Sequence, residues 1–277
     1  AMSVFVAEEL SEVLNTKVVI GRINMGLLNR IIIDDVLLDD QSGQEMLKVT
    51  RLSAKFDIMP FFKGKISISS VQLFGFNINL RKETPDSPPN FKFVLDAFAS
   101  KDTVKKENSL DLRINSILIR RGRMSYHVLS EEETPGKFNA KHIQLQNIIA
   151  NISLKALSKD SLNLGIKRLS LDEKASGFSL KKMSLKLVAN NKQTNIDNFT
   201  IELPETSLKL DTIHLEYDSL KAFDRFTEQV HFSFRTLPSQ VTLKDISPFV
   251  PILSHFKEPV TLDMEVKGTV DQLTCSH

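Results

Sequence analysis

Along this chain the apolar positions return in one phrase: an apolar residue, two others, an apolar residue, a spacer, and an apolar residue again. It occurs at Ile33-Val36-Leu38, Ile68-Val71-Leu73, Ile114-Ile117-Ile119, Ile166-Leu169-Leu171, Leu180-Met183-Leu185, Ile196-Phe199-Ile201 and Leu210-Ile213-Leu215. Val49-Leu52-Ala54 and Ala140-Ile143-Leu145 are weaker copies. The last two positions, often followed by a third such as Phe56 or Leu187, keep a period of two and predict strands with one apolar face. The two-residue step before them reverses parity. A period-two strand cannot place i and i+3 on one side, so the step predicts either a bulge or a corner where one strand ends and the next begins. Turn-forming pairs fill many of these steps: Asp34-Asp35, Ser69-Ser70, Asn115-Ser116 and Asp197-Asn198.

In the second half the phrase starts at residues 166, 180, 196 and 210, a spacing of 14 to 16 residues. That is room for a strand and a short turn but not for a crossover helix, which selects a mainly antiparallel, all-β chain. A few short helices are expected. Val6, Leu10, Val13 and Leu14 share a helical face opposite Glu8, Glu9 and Glu12. After the Pro-rich break KETPDSPP, Asn90 is placed to cap FKFVLDAF, where Phe91, Val94, Leu95 and Phe98 form a stripe. DISPFVPILSHF carries Phe249, Ile252, Leu253 and Phe256 on one face, kept short by Pro248 and Pro251. DSLKAFDRF, from Asp218, is the weakest of the helical segments. Three regions follow: residues 1–80, a helix with the first strands; residues 81–109, a Pro-rich loop and short helix; and residues 110–277, the repeated strands. Periodicity leaves two architectures open, a closed β-sandwich with the stripes as its core and an elongated stack of strands with an apolar concave side.

Composition narrows function more than fold. Of 277 residues 41% are apolar and 25% charged, which is globular, and a formal charge of +2 with dispersed lysines gives no case for nucleic acid. The basic spots Ile119 to Arg123 and Val104 to Ser109 lack interleaved aromatics that would stack bases. Cys275 is the only cysteine, so no disulfide or paired-thiolate metal site forms within one chain. No apolar run reaches the roughly 18 residues a membrane-spanning helix needs. The chain opens on AMSVFVAEELSEVLN and ends in VTLDMEVKGTVDQLTCSH, still alternating as a strand does. The expectation is a fragment, with an anchor or signal upstream.

The series TKVVIGRINMGLLNRIIIDDVLLDDQSGQEMLKVTRLSAKFD, KGKISISSVQLFGFNINL and NFKFVLDAF resembles the amino-terminal region of the AsmA/TamB family of Gram-negative envelope proteins. INSILIRRGRMSYHV, KFNAKHIQLQNI, DEKASGFSLKKMSLKL, IDNFTIELPETSLKLDTIHLEY and SQVTLKDISPFVPIL follow in the family's order, so the resemblance covers nearly the whole chain. It implies an amino-terminal helix in the inner membrane, a periplasmic body, and a curled sheet forming an open hydrophobic groove, similar to chorein-type lipid-transfer proteins. It also implies movement of phospholipids or other lipids toward the outer membrane, or assembly and secretion of outer-membrane β-barrels with a TamA-like partner. The groove candidates are Val36, Leu38, Val71, Leu73, Ile117, Ile119, Leu169, Leu171, Phe199, Ile201, Ile213 and Leu215, a track without charge on which acyl chains could lie. About a dozen strands at ~4.8 Å would make it on the order of 60 Å long. The first helix is expected to cover one open end of the sheet.

Chemistry is sparse. Asp34, Asp35, Asp39 and Asp40 lack EF-hand spacing and are expected as turn and strand-edge carboxylates. His127, His142, His214, His231, His255 and His277 are far apart in sequence, without H-E-x-x-H, and are expected to be scattered structural histidines. SLKK, Ser179 to Lys182, matches S-x-x-K without its companion motifs. No nucleophile elbow or phosphate loop occurs. No cofactor and no catalytic residue is expected. The rivals to lipid carriage are an assembly factor acting by β-augmentation and a closed sandwich for protein interaction.

Overall fold

The computed structural model describes residues 2–57, 67–102, 114–157 and 160–276. The chain is all-β with a few short helices. The 16 strands among the described residues belong to one sheet, hydrogen-bonded in the order β1 to β9, β11, β12, β15, β16, with β10, β13 and β14 branching from β9. The terminal strands of that order do not pair with each other, so the sheet is not closed into a barrel. The chain divides into two compact units: residues 1–110, 116–149 and 171–177, and residues 111–115, 150–170 and 178–277.

The first unit begins with α1 (Met2–Leu14), followed by β1 (Val18–Met25), β2 (Arg30–Asp39), β3 (Glu45–Asp57) and β4 (Ser67–Lys82) in antiparallel succession. β5 (Ile114–Val128) then pairs with β4 in parallel. A parallel pair needs a crossover connection, and α2 (Lys92–Asp102) lies in the chain between the two strands. β6 (His142–Leu157) and β7 (Ser161–Glu173) follow and are shared, residues 150–157 and 161–170 belonging to the second unit.

The helices dock differently from their sequence stripes. In α1, Ala7 and Leu14 are buried against Val18, Ile20 and Leu38 with Val6 beside them, whereas Leu10 and Val13 stay exposed. The β1 edge is met by this helix: the Val18 N–H donates to Ser11 Oγ. α2 contributes Phe93, Val94 and Ala97, with the preceding Phe91, to the same cluster, and Leu95 is exposed. The side chain of Phe98 lies outside the described residues, as do Val104 to Ser109. Asn90 turns toward β4 instead: its Oδ1 accepts the Arg81 N–H, and its amide donates to the Asn79 carbonyl and to Asp40.

The second unit is built on β8 (Ser179–Asn190), β9 (Gln193–Leu203), β10 (Thr206–Leu210), β11 (Ile213–Glu216), β12 (His231–Arg235), β13 (Ser239–Thr242), β14 (Pro259–Leu262), β15 (Glu265–Thr269) and β16 (Gln272–Ser276). DSLKAFDRF forms a 3-10 turn, Leu220–Arg225, running into the four-residue α3 (Phe226–Gln229). DISPFVPILSHF forms no α-helix. Pro248 and Pro251 divide it into 3-10 turns at Leu243–Ile246 and Pro251–His255, leaving Phe249, Ile252 and Phe256 exposed.

Candidate functional site

Two of the phrases, at Ile33-Val36-Leu38 and Ile196-Phe199-Ile201, have a physical cause in the backbone, and three further strand positions share it. Asp35, Asn147, Asn198, Arg121 and Gly75 all have positive φ, between 53° and 67°, inside strands. Each stands immediately before an apolar or glycine position: Val36, Ile148, Phe199, Gly122 and Phe76. One left-handed residue in an extended strand reverses the alternation, so Ile33 and Val36 project to the same side of β2. Asp, Asn and Gly adopt this conformation at least cost. The kinks fall at matching gaps in the ladders: Asp34 pairs with Arg51 and Val36 with Val49, Arg51 with Phe74 and Val49 with Phe76, and Phe74 with Arg120 and Phe76 with Gly122, each leaving out the residue between. The strand bounds place most of the phrases within one strand each, those at Ile114, Ile166, Leu180 and Val49 without a left-handed residue in the step. Ile68-Val71-Leu73 contains a register shift against β3, and only Leu210-Ile213-Leu215 is a corner, between β10 and β11.

This geometry gives the first unit one apolar face. Cross-strand register lines up Val36, Val49 and Phe76 in one rung and Ile33, Leu52, Leu73 and Ile119 in the next. Val49, Phe76 and Ile148 are buried at its centre, with Val36, Leu73, Ile119 and Leu171 packed against them. The aromatic ring of Phe76 lies over Gly122, where a Cβ would stand 2.3 Å from its Cζ and 3.0 Å from Ile148 Cβ. Val71 and Ile117 pair with each other and with Ala54 on the same side. Leu38 is buried beneath α1 and so is withdrawn from any open surface.

The opposite face is charged. Arg22, Asp34 and Arg51 form a row in which Asp34 Oδ1 accepts from Arg51 Nε at 2.6 Å and Arg22 stands 3.4 Å from Oδ2. The hydrogen bond from Arg51, aided by both guanidinium charges and opposed by burial, holds the Asp34 carboxyl below the usual carboxylate range. Arg121 lies 5.2 Å over the Phe74 ring. Asp40 closes a turn: burial pushes its carboxyl up, but hydrogen bonds from Ser42, Gln44 and Asn90 and the charge of Arg81 bring it below the ordinary value.

In the second unit Ile201 stands opposite Met183 and Leu208, and Phe199 opposite Leu210. Ile213 stands opposite Ile196, which opposes Leu187, and Leu215 opposite Thr194 and Phe232. Leu169 is half-buried on β7. A cavity of about 370 Å³ opens on this face, lined by Leu162, Leu187, Ala189, Ile196, Leu215 and Phe223, with Asp160, Ser161 and Asn190 among its polar neighbours. That volume is on the scale of a small-molecule site. Tyr217 anchors its wall: the hydroxyl donates to the Asn190 carbonyl at 2.7 Å and meets Thr194 Oγ1 at 2.9 Å, while Phe223 packs edge-on against the ring.

The twelve candidate positions thus divide between two apolar faces, and of them Leu215 alone is among the residues lining this cavity. Sequence reasoning missed Phe76, Ile148, Leu162, Leu187 as a wall residue, and Phe223. Phe76 and Ile148 carried a usable signal, an Asx or Gly directly before an apolar residue three positions after another, in Leu73-Phe74-Gly75-Phe76 and Leu145-Gln146-Asn147-Ile148. The histidines also depart from expectation. His127 and His142 are brought together with their Nδ1 atoms 2.8 Å apart. Burial first, and the neighbouring His142 second, lower the His127 pKa against the opposing effect of Glu133. No family model matches the chain, and no curated protein matches it.

Proposed function

We propose that this chain is a non-enzymatic carrier of lipid, holding acyl chains against its apolar faces in the manner of the AsmA/TamB proteins its sequence resembles. On this reading it works in the periplasm as part of an inner-membrane-anchored protein. The observation that carries the proposal is the first unit's stretch of sheet, apolar around Val49, Phe76 and Ile148 on one side and carrying the Arg22, Asp34 and Arg51 row on the other, all described strands belonging to a single sheet. A second sheet is the usual cover for such a face. A bound acyl chain would serve the same end at ~0.8 kcal/mol for each CH₂ removed from water. Because that attraction has no preferred direction, the chain can shift along the rungs without breaking a specific bond. The cavity beside Tyr217 supports an amphiphile in particular, since its apolar wall borders carboxylate, hydroxyl and amide groups at Asp160, Ser161 and Asn190.

The test is native mass spectrometry of the purified chain after incubation with phospholipid vesicles. Wild-type protein is expected to retain phospholipid, and Ile196→Asp with Leu215→Asp to lose it while keeping a β-type circular dichroism spectrum. A wild-type chain that never carries lipid refutes the proposal. The β-augmentation reading is favoured by one observation, the exposure of every residue of β16 from Gln272 to Ser276. It predicts that Thr274→Pro abolishes capture of an extended β-strand peptide while lipid retention is unaffected.

A further inference from the structure

His127 is the last residue but one of β5 and His142 opens β6, with the turn of residues 129–141 between the strands. Their rings lie 5.1 Å apart between centroids at 45°, and the two Nδ1 atoms face one another. His142 is buried, and its Nε2 lies 2.7 Å from the carbonyl oxygen of Glu131, which can only accept. The proton of a neutral His142 is therefore on Nε2, and Nδ1 presents a lone pair. This is the arrangement by which a metal-binding histidine is oriented, with the far N–H given to a backbone carbonyl and the near nitrogen left bare. The third member is Glu133, from the same turn. A carboxylate oxygen and the two histidine nitrogens all lie within 4.8 Å of one another.

The turn itself is tied down. Ser130 and Leu129 donate backbone N–H groups to Glu83 and Lys82, Gly136 donates to Ala175, and Asn139 Nδ2 reaches the Glu132 carbonyl. Lys141 Nζ pairs with Glu131 Oε1 at 3.0 Å, which leaves Glu133 clear of that ion pair. The three donor groups consequently come from a pinned loop and two hydrogen-bonded strands.

We propose that His127 Nδ1, His142 Nδ1 and Glu133 form a site for a divalent transition-metal ion of the zinc class. Two imidazoles and one carboxylate suit zinc, cobalt, nickel or copper better than magnesium or calcium, which take oxygen ligands. At metal–nitrogen distances of ~2.0–2.1 Å in a tetrahedron the two nitrogens would stand roughly 3.3 Å apart, so the rings part by about 0.5 Å on binding. Three protein ligands leave a fourth position for water. The ion would clip the 129–141 turn to the ends of both strands, and this holds independently of any lipid.

The experiment uses the whole chain, freed of metal with a chelator and titrated with Zn²⁺ by calorimetry and with Co²⁺ by visible absorption. One ion per chain is expected, with the strong visible bands of four-coordinate cobalt. His127→Ala is expected to weaken Zn²⁺ binding by about 100-fold or more and Glu133→Gln by about 10-fold, the scale on which site partners act. Glu133 is exposed, so its variant keeps the test valid should His127→Ala disturb folding. His255→Ala, at an exposed position in the second unit, should bind as wild type does. Absence of saturable binding, or equal Zn²⁺ affinity in wild type, His127→Ala and Glu133→Gln, overturns the site and leaves an imidazole–imidazole hydrogen bond.

Discussion

The Phe76 ring over Gly122 is the most exacting test of how the apolar face is built. Truncating Phe76 to Ala removes a side chain that is only 8% exposed and sits between Val49 and Ile148. Buried Phe→Ala changes cost roughly 3–5 kcal/mol, and the half-buried neighbours here place the expectation near the lower end, about 3 kcal/mol. Gly122→Ala acts from the other side: its new Cβ would stand 2.3 and 2.4 Å from Phe76 Cζ and Cε1, far inside contact distance. Overpacking of this kind costs ~1–3 kcal/mol. With both changes the ring and the clash vanish together. The double variant should therefore be more stable than the sum of the singles predicts by about 1–2 kcal/mol, a coupling of the size seen between touching residues. Urea denaturation followed by circular dichroism and tyrosine fluorescence measures it. Without Trp, Tyr126 on β5 reports the first unit and Tyr217 the second. Additive costs would mean that Phe76 and Gly122 do not share a face, and the register argument for the whole apolar surface would fail with them.

Other expectations are shorter. Gly75 has φ +67° and a Cβ there would lie 2.7 Å from Thr50 Oγ1, whereas Gly43, at φ +83°, has nothing within 4 Å. Gly75→Ala should cost more urea stability than Gly43→Ala, by about 1–2 kcal/mol. Glu173 is buried and its carboxylate accepts the backbone N–H groups of Gln144, Ala175 and Ser176, so Glu173→Ala should destabilise by about 3 kcal/mol or more in the same assay. Asp34 and Asp40 both titrate below their ordinary value in the folded chain. Their stabilisation is complete above the unfolded carboxylate pKa of about 3.9 and disappears as pH falls through the lower folded values. Denaturation midpoints should accordingly be level from pH 7 to about 5 and decline below about 4, with a shallower decline in Asp40→Asn.

Much of the strand content was legible because a left-handed Asx or Gly leaves a trace in one dimension. Ile33-Asp34-Asp35-Val36 and Ile196-Asp197-Asn198-Phe199 announce both an apolar face and the place where alternation must be reset. Arg121 carries the same kink without that signature, and only the gap in its ladder between Phe74–Arg120 and Phe76–Gly122 reveals it. Helix faces were less legible. Leu10, Val13 and Leu95 fit an apolar stripe as well as Ala7, Leu14 and Ala97 do, but which stripe is buried depends on the surface each helix meets. The proline-divided segment at Leu243–His255 stays in 3-10 turns because Pro248 and Pro251 remove backbone donors.

The order of residue types along the chain determined the all-β class, the apolar and charged sides of the strands and most of the kink positions, since each follows from bonding and side-chain direction within a few neighbouring residues. Tertiary structure decided the parallel pairing of β4 with β5, the burial of Leu38 beneath α1, the cavity walls around Tyr217 and the meeting of His127 with His142. Those features join residues whose separation in sequence says nothing about their distance in space, and they arise only when long-range strand register and helix docking select one arrangement from the many that local preferences allow.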